Sequence, residues 1–176
     1  MSSSPLHLSD VDAQQTLHGS TTAGLDADTA PIQQGEENTA YLLRQVAERL
    51  AISLHQALRP FAQSNSVYRI LIALTRRNPA TMRELIELTL ITPSTLSRTV
   101  ADMAARGLVD TSAVEGDARA LRVTLTDTGR AQLRAILPAA TAQYEWAIQD
   151  IPEQDLEVMR RTLQKMLKRL KISPIK

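Results

Sequence analysis

The stretch TMRELIELTLITPSTLSRTVADMAARGLV, residues 81–109, contains two helix starts and one helix stop. At its head, Thr81-Met82-Arg83-Glu84 has the form of a capping box. The threonine oxygen accepts an orphan amide of the first turn, and the glutamate three residues on reaches back to the cap. A short helix to about Leu88 follows. Thr89, Leu90 and Ile91 lead to a second start, with Thr92 as cap and Pro93 at the first helical position, where its missing N–H costs nothing. This second helix runs to about Arg106, and Gly107 supplies a left-handed stop. Two short helices joined by so tight a turn make a helix-turn-helix.

Downstream the apolar period drops to two. Leu108-Val109 opens a strand, Ala113 to Ala118 reads as a loop, and Leu121, Val123 and Leu125 alternate with Arg122, Thr124 and Thr126 in a returning strand. The result is a β-hairpin wing. Thr126 then caps a helix through Leu133, Ile136 and Leu137, which Pro138 should kink or break. From about Pro152, Leu156, Met159, Leu163, Met166 and Leu170 are spaced 3, 4, 3, 4. That seam is narrower than a core-facing helix needs and points to pairing with another helix, either a second copy's or the chain's own first helix.

Upstream, Leu42, Leu43, Val46, Ala47, Leu50, Leu54, Ala57 and Leu58 form an apolar helical stripe that ends at Pro60. A second helix starts after Asn65 or Ser66 and buries Val67, Ile70, Leu71 and Leu74, with Asn78-Pro79 turning the chain after it. Residues 1–38 are polar and aperiodic and read as a disordered acidic tail. The fold class is therefore mainly α with a small β-hairpin wing. Residues 61–137 form a winged helix-turn-helix domain, and 39–60 with 138–172 form a helical dimerisation region.

Charge is divided unevenly. Residues 1–40 hold six acids and no Lys or Arg, whereas 41–176 hold all 20 basic residues against the other 13 acids. A body with a surplus of seven positive charges suits a polyanion. The chain has no cysteine, which removes disulfides, thiolate metal sites and thiol redox sensing. No apolar run is long enough to span a membrane, and the N-terminus lacks a secretory pattern. A cytoplasmic protein is expected.

On the helix opening at Pro93, Leu96, Val100 and Met103 share one stripe, while Thr92, Ser94, Thr95, Ser97 and Arg98 lie away from it. Short polar groups and one long cation suit close approach to duplex DNA. Arg98 can fork onto guanine or clamp a phosphate. In the wing, Arg119 near the tip and Arg122 are further backbone candidates.

At this point the chain resembles the MarR family of bacterial regulators from about Tyr41 to Leu170. The sharpest segment is GDARALRVTLTDTGR, residues 116–130, similar to the family's wing signature at Asp117, Arg119, Leu125, Thr126 and Gly129. Residues 92–109 are similar to its recognition helix and exit strand. After Gly107-Leu108-Val109, however, Asp110-Thr111 stand where the family usually places a basic residue. The resemblance implies a homodimer on a pseudo-palindromic site in double-stranded DNA, released by a small-molecule effector such as an aromatic carboxylate or phenol. No cofactor and no metal are expected, since no cysteine and no carboxylate/histidine cluster with metal spacing is present. The effector would bind where the first and second helices meet, with His55, Arg59, Tyr68 and Arg69 as the polar groups, since an arginine can clamp a carboxylate bidentately.

Two other classes compete. A winged dimer that binds protein instead of DNA is favoured by Asp102, Asp110 and Glu115 near the proposed surface. An enzyme is disfavoured: the histidines are His7, His18 and His55, without metal-ligand spacing, and there is no glycine-rich phosphate loop.

Overall fold

The computed structural model describes residues 38–114 and 116–171; the side chains of residues 117–119 are outside the description. The acidic segment 1–37, read above as a disordered tail, lies outside the described residues. Of the unit that ends at Leu42, the described part is the opening of helix α1 (Thr39–Leu58), where the Asn38 side chain accepts from the Ala40 amide at 2.9 Å.

The rest forms the second unit. A 3-10 turn at Arg59–Phe61 closes α1, as Pro60 demands. Helix α2 (Asn65–Arg76) begins one or two residues earlier than the sequence pattern placed it, because Ser64 is the cap and accepts from the Val67 amide. A two-residue strand β1 (Ala80–Thr81) runs into α3 (Met82–Thr89), and α4 (Pro93–Ala105) follows. Strands β2 (Val109–Val114) and β3 (Asp117–Leu125) make the wing. Helices α5 (Asp127–Ile148) and α6 (Glu153–Lys171) complete the described chain.

Three of these elements depart from the sequence reading. The sheet has a third strand, in the order β1-β3-β2, with Ala80 opposite Val123 and Thr81 opposite Arg122, all antiparallel. Two residues are too few to show a period, so β1 had no sequence signal. Within the loop expected at Ala113–Ala118, strand β2 runs to Val114 and β3 starts at Asp117, and Gly116 takes φ +82° in the turn before β3. Finally, Pro138 does not break α5. It lies with Arg134, whose carbonyl it cannot bond, on the exposed side of the helix, while Leu133, Ile136 and Ala140 stay buried.

One core holds the winged domain together. Ile70, Leu71 and Leu74 of α2, Leu85 of α3, Leu96, Val100 and Met103 of α4, Val109 and Val123 of the sheet and Ile136 of α5 are essentially inaccessible and belong to one cluster. Each such side chain stabilises the fold by about 1.5–3 kcal/mol through lost water contact.

The exit from α4 is fastened to α5 by Thr126. Its hydroxyl accepts from the Gly129 amide at 3.0 Å and faces the carbonyls of Gly107 and Leu108 at 2.7 and 3.0 Å. Gly129 is required there by close approach: a Cβ would stand 2.1 Å from the Leu108 carbonyl oxygen and 2.7 Å from Leu125 Cδ1. The oxygen is backbone and cannot rotate away. Gly129→Ala is therefore expected to destabilise the fold by at least the roughly 1–3 kcal/mol typical of overpacking, read as a lower midpoint in urea denaturation. An unchanged midpoint would show that the α4 exit is not held against α5.

Candidate nucleic-acid interface

Helix α4 is presented by its own amphipathic pattern. Leu96, Val100 and Met103 are buried, and Thr92, Ser94, Thr95, Ser97 and Arg98 are all exposed. The structure thus brings five of the predicted residues to one solvent-facing surface. Thr92 holds the cap position by its backbone, but its hydroxyl makes no capping bond. It donates instead to Thr95 Oγ1 at 3.0 Å, so the two hydroxyls form a pair on the exposed side. The amides of Ser94 and Thr95 precede the first intrahelical bond, from Leu96 to Thr92 at 2.9 Å, and point out of the helix.

The turn before α4 also has a specific geometry. Leu90 closes α3 in the left-handed region, φ 53°, and its side chain is 80% exposed. A leucine there escaped the sequence reading, because that conformation is normally signalled by glycine or asparagine.

The capping box of α3 is present as expected. The Thr81 hydroxyl accepts from the Glu84 amide at 3.3 Å, and the Thr81 amide donates to Glu84 Oε2 at 2.8 Å. Arg77 bonds the same carboxylate at 2.6 Å. The Thr81 backbone bond, with help from the Thr81 hydroxyl and the charges of Arg77 and Arg122, holds the Glu84 carboxyl below its usual 4.5 against a partial loss of hydration. A depressed carboxyl contributes stability above the usual value and loses it as pH falls through the lower, folded one.

The wing residues separate. Register is regular from Val109–Leu125 to Ala113–Leu121, then jumps to Val114–Asp117. Ala118, Arg119 and Ala120 therefore fall in a bulge, a device that re-aims side chains at a hairpin rim. The Arg119 side chain itself lies outside the described residues. Arg122 is not near the tip. It sits opposite Thr81 and Ser112 in the middle of the sheet, close enough to influence Glu84. Asp110, the departure noted in the exit strand, is exposed on β2.

Two hollows border these elements. The larger, about 440 Å³, lies between the start of α2 and the flank of α4 and is lined by Ser64, Thr95, Arg98, Thr99, Asp102 and Arg106 with Ala62 and Val67. Arg106 donates to Asp102 at 3.1 Å inside it. The smaller, about 200 Å³, joins Tyr68 and Arg69 to Arg76, Ile72, Ala73 and the end of α3 at Leu88, Thr89 and Leu90. Burial raises the Tyr68 phenol above its ordinary value. Of the four expected effector residues, the structure brings Tyr68 and Arg69 together. His55 and Arg59 are exposed at the end of α1 and in the 3-10 turn, and they do not line this hollow. Arg76 was missed because it lies two turns along α2 from Arg69, beyond the junction used to choose candidates.

The model of the MarR family matches residues 64–120, from the α2 cap to the wing. The HTH-type transcriptional repressor NicR of Pseudomonas putida is 37% identical over 106 residues, which are 59% of this chain and 66% of NicR, just under two thirds of its length. A solved MarR-family transcriptional regulator from Silicibacter pomeroyi superposes with TM-score 0.69 at 27% identity, covering 77% of this chain and 92% of the other. From the α2 cap to the wing, the chain is similar to the MarR family. BpsR of Bordetella bronchiseptica, whose DNA binding is regulated by 6-hydroxynicotinic acid, shares the fold at 23% identity and TM-score 0.66, over 72% of this chain and 96% of BpsR. With these likenesses, the winged helix-turn-helix reading and the mainly helical fold class both stand. No helix among the described residues is long and apolar enough to cross a membrane.

Proposed function

We propose that this transcriptional regulator is a repressor that binds a pseudo-palindromic site in duplex DNA as a homodimer and lets go when a small aromatic acid or phenol binds. The observation that carries this reading is the α4 surface. A helix locked by three buried side chains presents short hydroxyls and Arg98 to solvent. Ser94, Thr95 and Ser97 are of a size to meet base edges in a major groove. The 37% identity to a repressor supports repression over activation. The protein is a binding module and not an enzyme, and works in the cytoplasm, where bacterial DNA is.

The dimer reading rests on apolar surface. In α6, Leu156 is buried and Leu163 half-buried, but Met159, Met166, Leu167 and Leu170 are exposed, Leu170 by 67%. Trp146 of α5 is 69% exposed and Ile52 of α1 61%. So many large apolar groups left in water on three helices call for a covering partner. To meet two successive major grooves, such a dimer must hold its two recognition helices about 34–36 Å apart.

The effector reading rests on the smaller hollow. Arg69 or Arg76 suits a carboxylate, and Ile72, Leu88 and Leu90 offer apolar walls to a ring. The effector must bind the DNA-incompetent arrangement more tightly than the competent one, or nothing shifts.

Three measurements check these statements. Affinity for duplex DNA is expected to fall steeply and linearly with salt on logarithmic axes, through counterion release. A flat response would favour a protein partner. Met166→Asp is expected to yield a folded monomer by sedimentation, since the position is exposed in the single chain and a charge costs little unless it is covered. A persisting dimer would move the interface elsewhere. Finally, a panel of benzoates, hydroxycinnamates and 6-hydroxynicotinic acid, titrated into the protein–DNA complex, is expected to contain a releasing compound, with the effect lost in Arg69→Ala. Release by none would remove the aromatic acid from the reading.

A further inference from the structure

The hollow between α2 and α4 has more polar and charged lining residues than the smaller one beside α3. Small-molecule pockets are mostly apolar and enclosed. This one is an open furrow whose walls, apart from Ala62 and Val67, are polar or charged. Thr95, Thr99, Asp102 and Arg106 recur at i, i+4, i+7 and i+11, a single stripe along α4 that flanks the outer face carrying Ser94 and Ser97. Arg98 lies where the two faces meet.

The charges in the furrow are not equivalent. Asp102 and Arg106 are bonded to each other. Arg98 makes no ion pair among the described residues, so it supplies the net positive charge. Across from it, Ser64 uses its oxygen to accept from the Val67 amide, leaving its own hydroxyl hydrogen free to donate.

We propose that this furrow seats one backbone phosphate of the duplex, held by Arg98 and the Ser64 hydroxyl, and that Arg106 acts by neutralising Asp102. The inference rests on the DNA-binding reading and sharpens it. Arg98 becomes a phosphate clamp that sets register, leaving base discrimination to Ser94, Thr95 and Ser97. An oxyanion beside a bare Asp102 would be repelled, and the i,i+4 bond to Arg106 removes that repulsion.

The test measures binding of the full-length protein to a mixed-sequence duplex, across a salt series, by fluorescence anisotropy. Non-specific affinity reports phosphate contacts and no base reading. Arg98→Gln is expected to weaken binding and to reduce the salt slope by about 0.9, the value of one phosphate contact. Arg98→Lys should restore the slope. Ser64→Asp keeps the α2 cap, so the fold is retained while the added charge weakens binding. Asp102→Asn is expected to tighten binding, and Arg106→Gln to weaken it less in the Asp102→Asn background than alone. A mixed-duplex affinity and slope unmoved by Arg98→Gln would overturn the clamp, most clearly if the same change lowered only discrimination between sequences. Equal effects of Arg106→Gln in both backgrounds would overturn its neutralising role. Should the unaltered protein bind no duplex at all, the DNA reading itself fails, a result distinct from either of these.

Discussion

The hydroxyl of Thr126 is the constraint on which the winged domain turns. It ties three chain segments at one point: the carbonyls leaving α4, the end of β3 and the first turn of α5. The bond is possible only because residue 129 has no side chain, so that the α5 backbone lies directly against Leu108. Helix α4, which we propose faces DNA, and helix α5 are thereby joined at one threonine.

The opposite end of the helix-turn-helix is fastened by a second threonine. Thr81 is both a strand residue, opposite Arg122 in β3, and the cap of α3. Glu84 answers the cap and also takes Arg77, with Arg122 near enough to add its charge. Asn78 adds a bond, accepting from the Leu125 amide at 2.8 Å. The central strand of the wing is thus connected to the start of α3 and to the end of α4. Within that frame the buried stripe of α4 fixes which residues turn outward.

Much of this was legible in the chain itself. The two helix starts rest on local hydrogen bonding and on proline's lost donor, which depend on a few neighbouring residues. The stop at Gly107, φ 67°, is likewise local. The exposed face of α4 followed from a period of 3.6 residues. What stayed hidden depends on residues distant in sequence. Strand β1 exists because β3 returns beside it. The furrow exists because Ser64 and Arg106, 42 positions apart, line one hollow. Arg122 looked like a phosphate ligand in a linear reading, and only the register places it beside a carboxylate. Thr92 looked like a complete cap, yet its hydroxyl bonds to the neighbouring threonine.

Pro138 has a mechanical meaning for the long helix that contains it. A rung of the backbone ladder is missing between residues 138 and 134, so this is where α5 bends at least cost. The segment before it is pinned to the winged domain by Thr126, and the segment after it, bearing Tyr144 and Trp146, is bound to α1 where the Ser53 hydroxyl donates to Gln143. Compliance is therefore concentrated at one proline, like a crease in an otherwise stiff sheet of card. The contacts that Thr126 makes all lie on the winged-domain side of that crease.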